Sequence, residues 1–338
     1  MSGRDDPISF ATLGMFIIDD FSFMDADGRP TGRTVDPQEC RSRPSSPRLC
    51  GSPEHRLPPS EIGMIVDRGH DFPEPIDRAL LSYGRDLWLF REHPDLKTTR
   101  ALNSYRGEHR GFEYTTPRIR ITPKDLEGTR LANAKTLHFI CSPSRALAIM
   151  SEVEEGWKPI TIYEPIPDRC VPEELPALQK VLPLISVLSP NAEEALSLLS
   201  LPLPPSKRAI EHAADKFLQF GVGSEGSGWV IVRSGELGAY IKSRATSGRW
   251  IEAFWTPEDA DKVVDVTGAG NSFLGGFAAG MVLSNGDVDE ATMYATVSAS
   301  FVIEQEGLPC LSEEGSMIRW NGDNPLRRLE TLKKRHET

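Results

Sequence analysis

Residues 263–280, VVDVTGAGNSFLGGFAAG, hold the densest chemical signal in this sequence. An apolar strand end runs into Thr267, Gly268, Ala269 and Gly270, and a helix of small residues follows. Small residues let the backbone turn tightly, so successive N–H groups can face one point at a helix start. Fixed dipoles there hold phosphate or a developing negative charge. Such a turn can equally serve close packing of helix on sheet. Its late position speaks against a dinucleotide site, which follows the first strand, and the absence of GKS or GKT excludes a Walker phosphate loop. Three further groups could act with it. Asp19 and Asp20 close an apolar run, where a carboxylate can form a turn. Asn191 and Glu194, three apart before an apolar run, make a helix capping box. Ser234, Gly235 and Gly238 follow another apolar run and read on their own as a hairpin turn.

Regular elements must position these residues. Residues 8–18 (ISFATLGMFII) are almost all apolar and rich in strand formers, as in a strand covered on both faces. Similar short runs lie at 62–67, 136–140, 160–163, 184–188 and 229–232. Helical stretches fall between several of them, at 144–155, 173–181, 192–199 and 209–220. This alternation predicts βαβ units, an α/β fold with a doubly wound, mostly parallel sheet. Two closing helices are expected at 269–283 and 288–304. Two segments break the rhythm. Residues 95–124 carry Tyr105, Phe112 and Tyr114 among Lys97, Arg100, Arg106, Arg110, Arg118, Arg120 and Lys124. They read as a basic lid over an anionic ligand or as a solvated excursion. Residues 31–60 are dominated by Pro, Ser and Arg and read as an irregular insertion or replacement. The boundaries expected are one domain over 8–320 and a polar, basic tail over 321–338.

Whole-chain properties narrow the classes. The net charge of -11 over 338 residues opposes a dominant role on nucleic acid or anionic membranes. The longest apolar stretch, 273–283, is too short to span a bilayer. The opening MSGRDDP lacks the plan of a signal peptide, and the 5 cysteines form no CxxC pair. These features fit reduced thiols in a cytoplasmic protein, with a protein partner left open.

The run from Asp265 to Phe273 resembles the second signature of the PfkB, or ribokinase-like, kinases, D-x-T-G-A-G-D-x-F. It matches at Asp265, Thr267, Gly268, Ala269, Gly270 and Phe273. The resemblance implies a three-layer αβα fold with a small β lid, and an ATP-dependent kinase of a sugar, nucleoside or related alcohol. Gly268, Ala269 and Gly270 would form the anion hole for the transferred phosphoryl group. The closing Asp, which would take the acceptor's proton, is here Asn271. Asp19, with Asp20 as the alternative, would grip the acceptor. Asn191 and Glu194 resemble the N-x-x-E element that positions Mg²⁺ and phosphate through water, and Ser234, Gly235 and Gly238 a turn beside ATP. Asp265 and the Thr267 backbone would draw on K⁺ in members that use it, near residues 303–307 (IEQEG). The glycine pair expected between Asp20 and Ile62 is absent. GMFIIDD, DFPEPI, TTRALNSYRG and YEPIPDRC are similar to a fungal subgroup of PfkB-like proteins related to the yeast maintenance-of-killer protein. An amide cannot act as a base, so the resemblance also admits a pseudokinase, a nucleotide- or metabolite-binding scaffold.

Overall fold

The computed structural model describes residues 7–25, 29–31, 57–106, 109–314 and 317–337. In chain order the strands are β1 (Phe10–Thr12), β2 (Ile18–Met24), β3 (Ile62–Gly69), β4 (Trp88–His93), β5 (Arg100–Arg106), β6 (His109–Tyr114), β7 (Thr136–Cys141), β8 (Ile160–Pro165), β9 (Val187–Leu188), β10 (Trp229–Arg233), β11 (Ala239–Ser243), β12 (Arg249–Ile251), β13 (Leu311–Glu314) and β14 (Met317–Trp320). The helices are α1 (Glu74–Ser82), α2 (Pro143–Glu152), α3 (Leu175–Val181), α4 (Ala192–Leu198), α5 (Lys207–Phe220), α6 (Ala269–Leu283), α7 (Val288–Val302) and α8 (Pro325–Glu337).

The main sheet runs β12-β11-β10-β9-β8-β7-β1-β3-β4. Its neighbours from β4 through β10 pair in parallel, and β11 and β12 add antiparallel. Strand side chains alternate between faces, so each strand feeds two cores. Phe10, Val66, Ile162 and Ile231 pack with α1, α6, α7 and α8. Ala11, Ile65, Tyr163, Val230 and Val232 pack with α2, α3, α4 and α5 on the other face. This three-layer αβα arrangement is the one expected. The chain order turns between β1 and β7, with β3 and β4 on one side and β8 to β10 on the other. Open α/β sheets place their ligand crevices beyond the carboxyl ends of the strands at such a point.

The structure corrects several expected boundaries. Residues 8–18 are not one inner strand. β1 stops at Thr12, whose Oγ1 accepts the Gly14 N–H at 3.0 Å and turns the chain. Ile18 then donates to the Thr99 carbonyl and begins β2 in a second sheet, β2-β5-β6. Asp19 and Asp20 therefore sit within that smaller sheet. Residues 95–124 supply its β5–β6 hairpin. Of residues 31–60, positions 32–56 lie outside the described residues. Residues 321–338 do not form an exposed tail: α8 buries Leu329 and Leu332 against the body. Arg328, 4% exposed, lies 3.6 Å from the Phe301 ring centroid and pairs with Glu304 and Asp323.

Candidate phosphate-binding site

α6 begins as read, at Ala269. Its N-cap, Gly268, has φ 81°, a left-handed conformation that glycine adopts without the Cβ clash other residues suffer. No strand leads into it. Residues 263–266 are irregular and are held by the end of α7, where the Ile303 carbonyl accepts the Val264 N–H at 2.8 Å and the Asp265 N–H at 3.2 Å. Reciprocal bonds lock α6 to α7: Ser272 Oγ donates to the Ser298 carbonyl at 3.1 Å, and Ser298 Oγ to the Ser272 carbonyl at 2.8 Å. Within the turn, the Thr267 N–H donates to Asp265 Oδ1 at 3.0 Å and the Ala269 N–H to the Val266 carbonyl at 3.1 Å. The N–H groups of Gly268, Gly270 and Asn271 find no acceptor among the described residues. Ala269 thus contributes a turn bond rather than an open donor, contrary to the equal roles expected of 268–270. The Asn271 side chain is half-buried and takes no hydrogen bond among the described residues.

Beside this turn lies a buried charged cluster. Arg233 closes β10, Glu164 lies one residue from the end of β8, and Glu194 stands in the first turn of α4. Arg233 Nη2 lies 2.7 Å from Glu164 Oε1 and 3.6 Å from Glu194 Oε2, and donates to the Ser189 carbonyl at 3.1 Å. A Cβ on Gly270 would stand 2.1 Å from Arg233 Nη1, so the guanidinium rests directly on the glycine turn. Only glycine permits that approach. On the far side His138 Nε2 lies 3.5 Å from Glu164 Oε2, while its Nδ1 meets Thr12 Oγ1 at 2.9 Å. Burial pushes the Glu164 carboxyl upward, but the charge of Arg233 and the His138 contact reverse this and leave it below its ordinary value. Burial dominates at Glu194, which is pushed up to about 7 despite Arg233 and the Asn191 N–H.

The other expected residues fall into four places. Asn191 and Glu194 form the capping box and also border Arg233: the Asn191 N–H donates to Glu194 Oε2 at 2.7 Å, and the Glu194 N–H to Asn191 Oδ1 at 2.8 Å. Ser234, Gly235 and Gly238 make the β10–β11 hairpin turn. The Ser234 hydroxyl is tied back to the Val232 carbonyl at 3.1 Å, so it is the preceding Arg233 that reaches the glycine turn. Asp19 lies on the smaller sheet, where Asn103 Nδ2 donates to its Oδ1 at 2.8 Å. Asp265 lies beside residue 303, as expected, but the Glu304 carboxylate is committed to Arg328 at 2.6 Å and Asn321 at 2.8 Å. No group of three or more His, Cys, Asp or Glu side chains is set to hold a metal among the described residues. Glu164 and Glu194 do not fit a dedicated Mg²⁺ cage either, because Arg233 already contacts both. The sequence reading passed over Arg233, Glu164 and His138. Their signal was a charged or polar residue inside otherwise apolar strands: WVIVR, ITIYEP and TLHFIC.

The nine-stranded sheet with helices on both faces has the ribokinase-like fold of solved structures. Residues 130–313 match the pfkB family carbohydrate kinases. An uncharacterized protein of Schizosaccharomyces pombe is 34% identical, covering 96% of this chain and 92% of its own. Protein MAK32 of Saccharomyces cerevisiae is 34% identical, covering 80% of this chain and 77% of its own. The structure of Arabidopsis thaliana ribokinase complexed with ribose and ATP superposes with a TM-score of 0.63 at 16% identity, over 97% of this chain and 99% of that one. The chain belongs to the PfkB family of carbohydrate kinases, with fungal PfkB-like proteins among its near full-length relatives. No helix among the described residues is long and apolar enough to cross a membrane.

Proposed function

We propose that this chain binds ATP at the Gly268–Asn271 turn and transfers its terminal phosphoryl group, slowly, to a hydroxyl of a sugar, nucleoside or related small molecule. The open N–H groups of Gly268, Gly270 and Asn271 at the head of α6 carry this reading. Donors with no protein acceptor at the positive end of a helix dipole suit an oxyanion. Arg233, paired with Glu164 at 2.7 Å, sets further guanidinium donors beside them. Asp19 would orient the acceptor, and Asn191, Ser234, Gly235 and Gly238 would border the nucleotide. Mg²⁺ would arrive on the nucleotide itself, and K⁺ would find Asp265 and the Thr267 backbone.

Phosphoryl transfer rests chiefly on positioning and charge stabilisation, so an amide at position 271 slows the reaction rather than forbids it. Asn271 also favours a second reading, a nucleotide-binding scaffold without turnover. Phosphoryl transfer measured across sugars and nucleosides, with Asn271→Asp alongside, separates the two. A variant that gains turnover by about 10²–10⁴-fold, the usual worth of a general base, supports the kinase. No turnover in either protein, with ATP bound by both, supports the scaffold.

A further inference from the structure

The donors around Gly270 outnumber the acceptors the protein offers them. A guanidinium carries five N–H donors in a rigid fork. Arg233 directs Nη2 at the Glu164 carboxylate and the Ser189 carbonyl. Its Nε is buried without a partner, and Nη1 lies against Gly270 with no acceptor among the described residues. The adjoining N–H groups of Gly268, Gly270 and Asn271 are likewise open among the described residues. On the acceptor side, Glu164 Oε2 is buried without a hydrogen bond, and its side chain keeps 7% of its surface exposed. Glu194 Oε2 is occupied by the Asn191 N–H. A cation is therefore already in place between the two buried carboxylates, and its unspent donors border the open amides.

We propose that Arg233 is a resident cation of this phosphate pocket, taking the place between Glu164 and Glu194 that a hydrated divalent ion would otherwise occupy. The protein then holds a nucleotide's terminal phosphates without needing a divalent ion for binding. This rests on the ATP-binding reading above and adds to it the residue and its consequence for metal dependence. Arg suits the task because its planar fork can hold one carboxylate with one nitrogen and present the other to an oxyanion, and because it stays charged when buried. Asn271 fits the same design: a neutral amide adds no negative charge beside the open donors.

Calorimetric titration of the full chain with ATP, and with inorganic tripolyphosphate, in EDTA and in excess Mg²⁺ tests this. The wild type should bind with affinities within about threefold in the two media, a difference under 1 kcal/mol. Arg233→Thr should lose about ten- to a hundredfold in EDTA, the worth of a charged hydrogen bond, and recover when Mg²⁺ enters the vacated space. Recovery by the ion is something a merely structural arginine would not produce. Should the variant fail to fold, the wild-type comparison decides alone. Wild-type binding at least about tenfold weaker in EDTA than in Mg²⁺ overturns the resident cation and leaves the ATP-binding reading standing. Absence of binding in both media overturns both.

Discussion

At the carboxyl ends of β8 and β10, Glu164, Glu194 and Arg233 keep 7%, 6% and 12% of their side-chain surface exposed. On the three-stranded sheet, Asp20 keeps 47% and its partner Arg100 24%, at a separation of 3.4 Å. Phe112, on β6, is 53% exposed. The first region fixes its charges before any ligand arrives: each is spanned by another, tied to backbone, or both. The second leaves its charges near water on a sheet of three strands. Buried charges are costly unless paired, and the first arrangement pairs its charges while leaving Arg233 Nε and Glu164 Oε2 without hydrogen bonds. The region beside the glycine turn is thus preorganised, while the smaller sheet keeps its charges near water.

Substitutions should divide along the same line. Glu164→Ala strips Arg233 of its closest counter-charge in the interior and should cost about 3–5 kcal/mol of stability in urea unfolding; a loss under about 1 kcal/mol would mean that water already screens the cluster. Titration of Glu194 should give the next largest effect. Its folded value of about 7 lies above the ordinary 4.5, so the fold holds a proton that the unfolded chain has released. Stability should then fall as pH rises from the ordinary carboxylate range through about 7, by on the order of 3 kcal/mol. Glu194→Gln should flatten that window. An unchanged pH profile in the variant would assign the slope elsewhere. On the smaller sheet, Asp20→Asn removes an exposed pair and should change stability by less than about 1 kcal/mol, with ATP affinity unaltered. A larger loss there would erase the contrast between the two regions.

Legibility in the sequence follows the same division. α6 starts and ends where its small and apolar residues place it, 269–283, and β7, β8 and β10 stand within a residue or so of their apolar runs. Strands buried on both faces declare themselves because nearly every residue is apolar. The smaller sheet did not, since β5 and β6 carry polar and basic residues and β2 continues an apolar run that already contained β1. α8 was missed because its apolar stripe is narrow, and Arg328 is buried by aromatic rings and carboxylates distant in sequence. Glu164, His138 and Arg233 lie scattered over almost a hundred positions, so only the parallel register of β7, β8, β9 and β10 brings them together. The glycine turn was readable as a motif. That Ala269 spends its N–H inside the turn, and that Arg233 rather than Ser234 meets Gly270, depends on backbone geometry that no spacing shows.

Three backbone donors stand open at the head of α6 among the described residues, and amide-resolved NMR reads them directly. On adding ATP to the isotope-labelled full chain, the N–H signals of Gly268, Gly270 and Asn271 should move more than those of any other turn, saturating together. Saturable ATP binding that leaves those three signals in place, while others shift, would contradict the account.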